Sequence, residues 1–82
     1  MKNLLYKKVD GFYTPVDLVE AKYIFLKYVS KLGKIHSIVT DINVDDITID
    51  VYVNVDGNHY HFYYFIDGSY ELSLNGNMIA YG

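Results

Sequence analysis

With 82 residues, 51% of them hydrophobic and 17% aromatic, the chain is sized for one domain around one core and is too apolar for disorder. It contains no cysteine, which excludes a disulfide framework, a thiolate metal site and a cysteine nucleophile. The net charge of −3 hides a polarity: all seven basic residues are lysines at or before Lys34, giving that part +4, whereas the chain from Ile35 onward sums to −7.

Portions of opposite sign point to a partner surface or to self-association and say nothing about fold. The absence of arginine removes the residue best suited to bidentate phosphate and base recognition. In a chain rich in Tyr, Asn, Ile and Asp, it also looks like coding bias from an AT-rich genome. The apolar run Leu4-Leu5-Tyr6, flanked by lysines, is too short for a secretory leader, and no stretch reaches the roughly 18 apolar residues of a membrane span. The expectation is a single domain over residues 1–82, cytoplasmic and not associated with membrane.

In chain order, Asn3 to Val9 reads as a short strand ended by Asp10-Gly11. Thr14-Pro15-Val16-Asp17 predicts a helix start, with Thr14 as cap, Pro15 in the first helical position and Asp17 reaching back from the third. The helix is expected to run to about Leu32, with Gly33 as its C′ residue and Lys27, Lys31 and Lys34 near its negative end. Leu18, Ala21, Phe25, Val29 and Leu32 form its buried stripe, widened by Ile24, Leu26 and Tyr28. Ile35 to Ile42 is a second strand, and Asn43 to Asp46 links it to the next. Its register stays open, since a four-residue loop turns His36 toward the core and a three-residue loop turns it outward.

The stretch from Ile47 to Ile66 carries the clearest pattern. Ile47, Ile49, Val51, Val53 and Val55 alternate with Thr48, Asp50, Tyr52 and Asn54, the period of a half-buried strand. Asp56-Gly57 is a two-residue hairpin turn in which both residues need positive φ. Pairing Val55 with Asn58 then sets Val53 against Tyr60, Val51 against Phe62, Ile49 against Tyr64 and Ile47 against Ile66 on the core side. Asp67-Gly68-Ser69 works best as a bulged three-residue loop that keeps Tyr70, Leu72 and Leu74 on that side. Asn75-Gly76 turns the chain once more, and Ile79 and Tyr81 close the sheet.

The expected fold is α+β: one amphipathic helix packed on a twisted antiparallel sheet of about five strands, in the order strand, helix, five-strand meander. The outline resembles helix-on-curved-sheet folds such as the cystatin-like group, a likeness of shape that implies no function.

Chemical motifs are thin. Asp41-Ile42-Asn43-Val44-Asp45-Asp46 starts like an EF-hand loop, but that loop needs Gly at its sixth position and Glu at its twelfth. Asp46 and Tyr52 stand there, so it reads as a polar turn. His59 and His61 share a face about 6.5–7 Å apart, with Asp50 diagonal to His61, which makes a His-His-Asp metal site or a pH sensor conceivable. Two histidines on an open sheet without a clear fourth ligand read better as surface residues. No serine lies in a nucleophile-elbow context, the Asp45-Asp46 pair lies in an exposed turn, and every glycine reads as turn or cap. Neither an enzyme nor a cofactor is expected.

The outer face carries Thr48, Asp50, Tyr52, Asn54, His59, His61, Tyr63 and Phe65, with Glu71 on the neighbouring strand. It is unusually aromatic for a solvated surface, so either something covers it or something binds it. Its acidic neighbours Asp50 and Glu71 oppose nucleic acid, which needs lysine and arginine around a stacking platform. Coverage by Leu4-Leu5-Tyr6 and Phe12-Tyr13, a homodimer and a foreign protein partner remain.

The leading expectation is a non-enzymatic binding module of phage or mobile-element origin. It would dock Asp50, Tyr52, Asn54, His59, His61, Tyr63, Phe65 and Glu71 on the basic surface of a host nucleic-acid-handling enzyme, such as a CRISPR effector, and inhibit it. The alternatives are a structural or regulatory homo-oligomer, in which the lysine-rich helix region of one subunit meets the acidic strands of another, and a His-based metal-binding protein.

Overall fold

A computed structural model describes residues 2–82, with side chains from Leu4 onward. Over these residues the order is a 3-10 turn (Lys2–Leu5), β1 (Tyr6–Val9), β2 (Phe12–Pro15), α1 (Leu18–Ser30), β3 (Ile35–Asn43), β4 (Thr48–Val55), β5 (Asn58–Phe65), β6 (Tyr70–Leu74) and β7 (Asn77–Tyr81). β3 to β7 form a five-stranded antiparallel meander, and β1 with β2 forms a separate hairpin. The α+β fold of one helix on an antiparallel sheet is therefore as the hydrophobic pattern requires.

The β4–β5 hairpin has the expected register: Val55 opposes Asn58, Val53 Tyr60, Val51 Phe62 and Ile49 Tyr64. Asp56 and Gly57 have φ of 51° and 85°, the geometry of a type I′ turn whose twist matches the flanking strands. Asp10-Gly11 and Asn75-Gly76 repeat it, so Asp10-Gly11 makes a hairpin rather than merely ending a strand. The hairpin core face (Ile49, Val51, Val53, Val55, Tyr60, Phe62, Tyr64) joins Tyr70 and Leu72 of β6 and Ala21, Phe25 and Val29 of α1 in one buried cluster. Phe25 stacks on Phe62 at 4.8 Å between ring centroids. Each such ring contributes on the order of 1.5–3 kcal/mol by burial.

Four local expectations are corrected. Residues 2–5 form a 3-10 turn, and the first strand starts at Tyr6. The helix begins at Leu18, capped by Asp17, whose carboxylate accepts from the Glu20 N–H at 2.8 Å. Thr14 and Pro15 are instead taken by β2, opposite Lys7 and Tyr6; pairing across the chain overrides a local capping preference. The helix ends at Ser30, which leaves Leu32 half exposed, and Gly33 lacks the positive φ of a C′ glycine. Gly33 lies against Asp56 and Val55, where any side chain would collide with the Asp56 carboxylate. Finally, Ile47 has a φ of 54° and is half exposed in the turn, so it does not face Ile66 in the core.

The connection from β3 to β4 spans residues 44–47, because Asn43 opposes Thr48. That length alone would turn His36 inward. A bulge between Ile35 and Ser37 restores Ile35 to its place opposite Val55 and pushes His36 sideways, where its Nε2 lies 3.2 Å from Asp56 Oδ1.

Leu5 and Val16 belong to the core cluster, and the Tyr64 hydroxyl donates to the Val16 carbonyl at 2.6 Å. The N-terminal segment is thus anchored on the helix side of the sheet. Phe12 and Tyr13 project into solvent, each 76% exposed. Neither they nor Leu5 cover the opposite face.

Candidate docking face

α1 packs over β4 and β5 from one side only. On the other side strand alternation lays two rows of side chains across the sheet. One row runs Val39, Tyr52, His61, Ser73, Met78, and the next runs Asp41, Asp50, Tyr63, Glu71, Tyr81.

At the centre, Tyr52 and His61 face each other as a non-hydrogen-bonded cross-strand pair, the kind that brings side chains closest. Their rings stack at 4.3 Å with an angle of 2° between planes. His61 Nε2 lies 2.7 Å from Asp50 Oδ1, diagonally across the same two strands. One histidine is thus held by a phenol ring on its face and a carboxylate at its edge. Asp50 also stands directly opposite Asp41 of β3. Like charges so placed repel, and the bond from His61 to Asp50 offsets part of that repulsion when the imidazole is protonated.

The expected site residues divide into groups. Asp50, Tyr52, His61, Tyr63 and Glu71 come together in these two rows. Asn54 accepts from the Gly57 N–H at 2.9 Å and serves mainly to hold the turn. His59 is exposed beside it, its backbone N–H bound to Asn75 Oδ1. Phe65 is half buried at the far end, opposite Thr48, which is buried although it alternates outward. Residues outside the expected set also belong here: Val39 (60% exposed) and Asp41 from β3, and Met78 and Tyr81 (77% exposed) from β7. The open register of β3 hid the first two. In β7 a shift between Leu72 and Ser73 sets Met78 opposite Ser73 and Tyr81 opposite Glu71, which simple alternation does not place.

Two shallow depressions lie on this face. One, about 340 Å³, is lined by Ser37, Val39, Tyr52, His59, His61 and Ser73 among others; the second, about 320 Å³, is lined by Tyr63, Glu71, Met78 and Tyr81 among others. Among the described residues, no three His, Cys, Asp or Glu side chains are placed to hold a metal ion together. Also among them, no helix is long and apolar enough to cross a membrane.

The charge polarity of the sequence becomes a polarity of layers. Exposed Lys27 and Lys31 lie on α1 and its C-cap, on the helix side, whereas Asp41, Asp50 and Glu71 lie on the outer sheet face. Turn carboxylates at the sheet ends are held ionised. The Lys34 N–H and the His36 ring lower the pKa of Asp56, and the Ser69 hydroxyl and N–H lower that of Asp67.

No protein-family model matches the sequence, and no curated protein or solved structure matches it.

Proposed function

We propose that this chain is a non-enzymatic protein-binding module that docks its acidic, tyrosine-rich sheet face on a basic protein surface. The observation that carries the reading is the Asp50–His61–Tyr52 arrangement, left uncovered by the described residues and flanked by Asp41, Tyr63, Glu71 and Tyr81. Stacked rings are rigid anchors that lose little entropy on binding. Carboxylates beside them receive lysine and arginine, steer encounter and reject acidic surfaces. Surfaces dense in lysine and arginine are those that neutralise phosphates, so the target is a nucleic-acid-handling enzyme. A CRISPR effector of a host cell fits, with the chain acting as a phage or mobile-element inhibitor that competes with nucleic acid for the basic groove.

The test is binding to, and inhibition of, purified CRISPR effector complexes and other host nucleases by the wild type and by a variant with Asp50, Tyr52, His61 and Tyr63 changed to Ala. Salt-sensitive binding lost in a folded variant supports the reading. Equal binding by the variant removes the site, and no binding to any of these basic enzymes removes the target class.

A further inference from the structure

We infer that β3 is a self-pairing edge: two copies of this chain associate by antiparallel addition of β3 to β3, with Thr40 on the two-fold axis. β3 is nine residues long, Ile-His-Ser-Ile-Val-Thr-Asp-Ile-Asn, and it forms one border of the five-stranded sheet. Natural edges are guarded by lysine, proline, bulges or shortness. β3 has no lysine or proline, and its bulge is confined to its start, between Ile35 and Ser37. The opposite edge, β7, has five residues with the irregularity inside its pairing.

The backbone groups available on β3 follow from the register. In a two-residue hairpin the residues flanking the turn exchange both hydrogen bonds, and bonded and non-bonded pairs then alternate. Val55–Asn58 is therefore bonded, so Val53, Val51 and Ile49 also bond to β5, while Asn54, Tyr52, Asp50 and Thr48 bond to β3. Their partners Ser37, Val39, Asp41 and Asn43 turn inward. Ile38, Thr40 and Ile42 are left with N–H and C=O directed away from the sheet. The side chains of these three residues lie on the helix side, where α1 covers β4 and β5, and Ile38 and Ile42 remain 45% and 49% exposed.

A second copy satisfies both the backbone and the side chains in one register. With Thr40 opposite itself, Ile38 meets Ile42 of the second copy and Ile42 meets its Ile38. The three pairs exchange about six backbone bonds. Moving the axis to Val39 sets Ile42 against His36, and moving it to Asp41 sets two carboxylates face to face. The chosen register also brings the exposed Lys31 and Lys34 end of one copy beside the exposed Asp45 and Asp46 end of the other, a complementarity that an antiparallel two-fold doubles. This association is independent of the docking proposal and leaves both outer faces on the same side of one continuous sheet.

The experiment is mass in solution by light scattering at rising concentration, combined with residue-resolved hydrogen exchange, for the wild type, Thr40→Pro and Ile38→Lys. The expected result is a dimer in the wild type, gain of protection at the amides of Ile38, Thr40 and Ile42 on dimerisation, and loss of dimer mass in both variants with the sheet intact. Proline is tolerated at Thr40 because the sheet register of the described residues leaves that N–H directed outward; if Thr40→Pro unfolds, Ile38→Lys, a substitution at a half-exposed site, decides. A strict monomer at high concentration overturns the inference, as does a dimer whose Ile38, Thr40 and Ile42 amides stay unprotected. A wild-type monomer that gains this protection only when another protein is added also overturns it, in favour of a foreign strand.

Discussion

Tyr52 and His61 stack at 4.3 Å across β4 and β5 while the same imidazole reaches Asp50 at 2.7 Å. The pair lies on the open side of the sheet, so it adds little to the core. Its contribution to folding is that of a cross-strand aromatic pair, about 0.5–1 kcal/mol. Tyr52→Ala is therefore expected to shift the urea midpoint only slightly while weakening partner binding by about tenfold or more. Comparable losses of stability and of binding would mean that Tyr52 acts through the fold.

Phe25 supplies the contrast. It is fully buried and stacked on Phe62, and Phe25→Ala is expected to cost about 3–5 kcal/mol, measured by urea unfolding. A loss below about 1 kcal/mol would contradict the placement of α1 on the sheet.

Burial pushes the Tyr64 phenol up to about 12, with the phenol of Tyr6 and the carboxylates of Asp67, Asp17 and Glu20 adding to the shift. A folded-state value above the ordinary value near 10 means that the contribution to stability is complete below pH 10. It is lost as pH rises from there through 12, by at most roughly 2–3 kcal/mol. Tyr64→Phe strands the Val16 carbonyl and is expected to cost about 1–2 kcal/mol at neutral pH. It should also flatten the alkaline limb in thermal melts. An unchanged alkaline limb would show that another group drives it.

At the acid end the sign reverses. The Glu20 N–H holds the Asp17 carboxyl below its ordinary value, as the Lys34 N–H does for Asp56 and the Ser69 hydroxyl for Asp67. Stability from these groups is present above the unfolded carboxylate range and falls as pH drops through the lowered folded values. Thermal melts from pH 6 downward should therefore decline below about pH 4, and Asp17→Ala should lower the melting temperature at neutral pH while making that decline shallower.

Gly33→Ala is expected to destabilise because the new methyl meets the Asp56 carboxylate that accepts from the Lys34 N–H. In an Asp56→Gly background, which keeps the positive φ of the turn, the cost should shrink. Additive effects of the two changes would refute a direct clash.

The fold was legible where burial and turn chemistry agree, as along Ile49 to Tyr64, where the aliphatic alternation and Asp56-Gly57 fix one register. It was illegible where a non-local pairing decides. Thr14-Pro15 is a good helix start in isolation, yet β1 claims both residues and passes the cap to Asp17. Ile47 continues the alternation but lies at positive φ, a conformation β-branched residues avoid, because the four-residue connection demands a left-handed residue there. The same connection and the bulge at His36 determine which β3 residues join the outer face. Hence Asp50, Tyr52, His61, Tyr63 and Glu71 could be named from alternation, whereas Val39, Asp41 and Tyr81 needed the sheet.

The most direct measurement is a residue-resolved NMR footprint of the isotopically labelled chain on addition of a purified CRISPR effector complex, at low and at physiological salt. A docking face predicts perturbation centred on Asp41, Asp50, Tyr52, His61, Tyr63 and Glu71, weakening as salt rises. A footprint on Lys27, Lys31 and the exposed side of α1, or none at low salt, would contradict it.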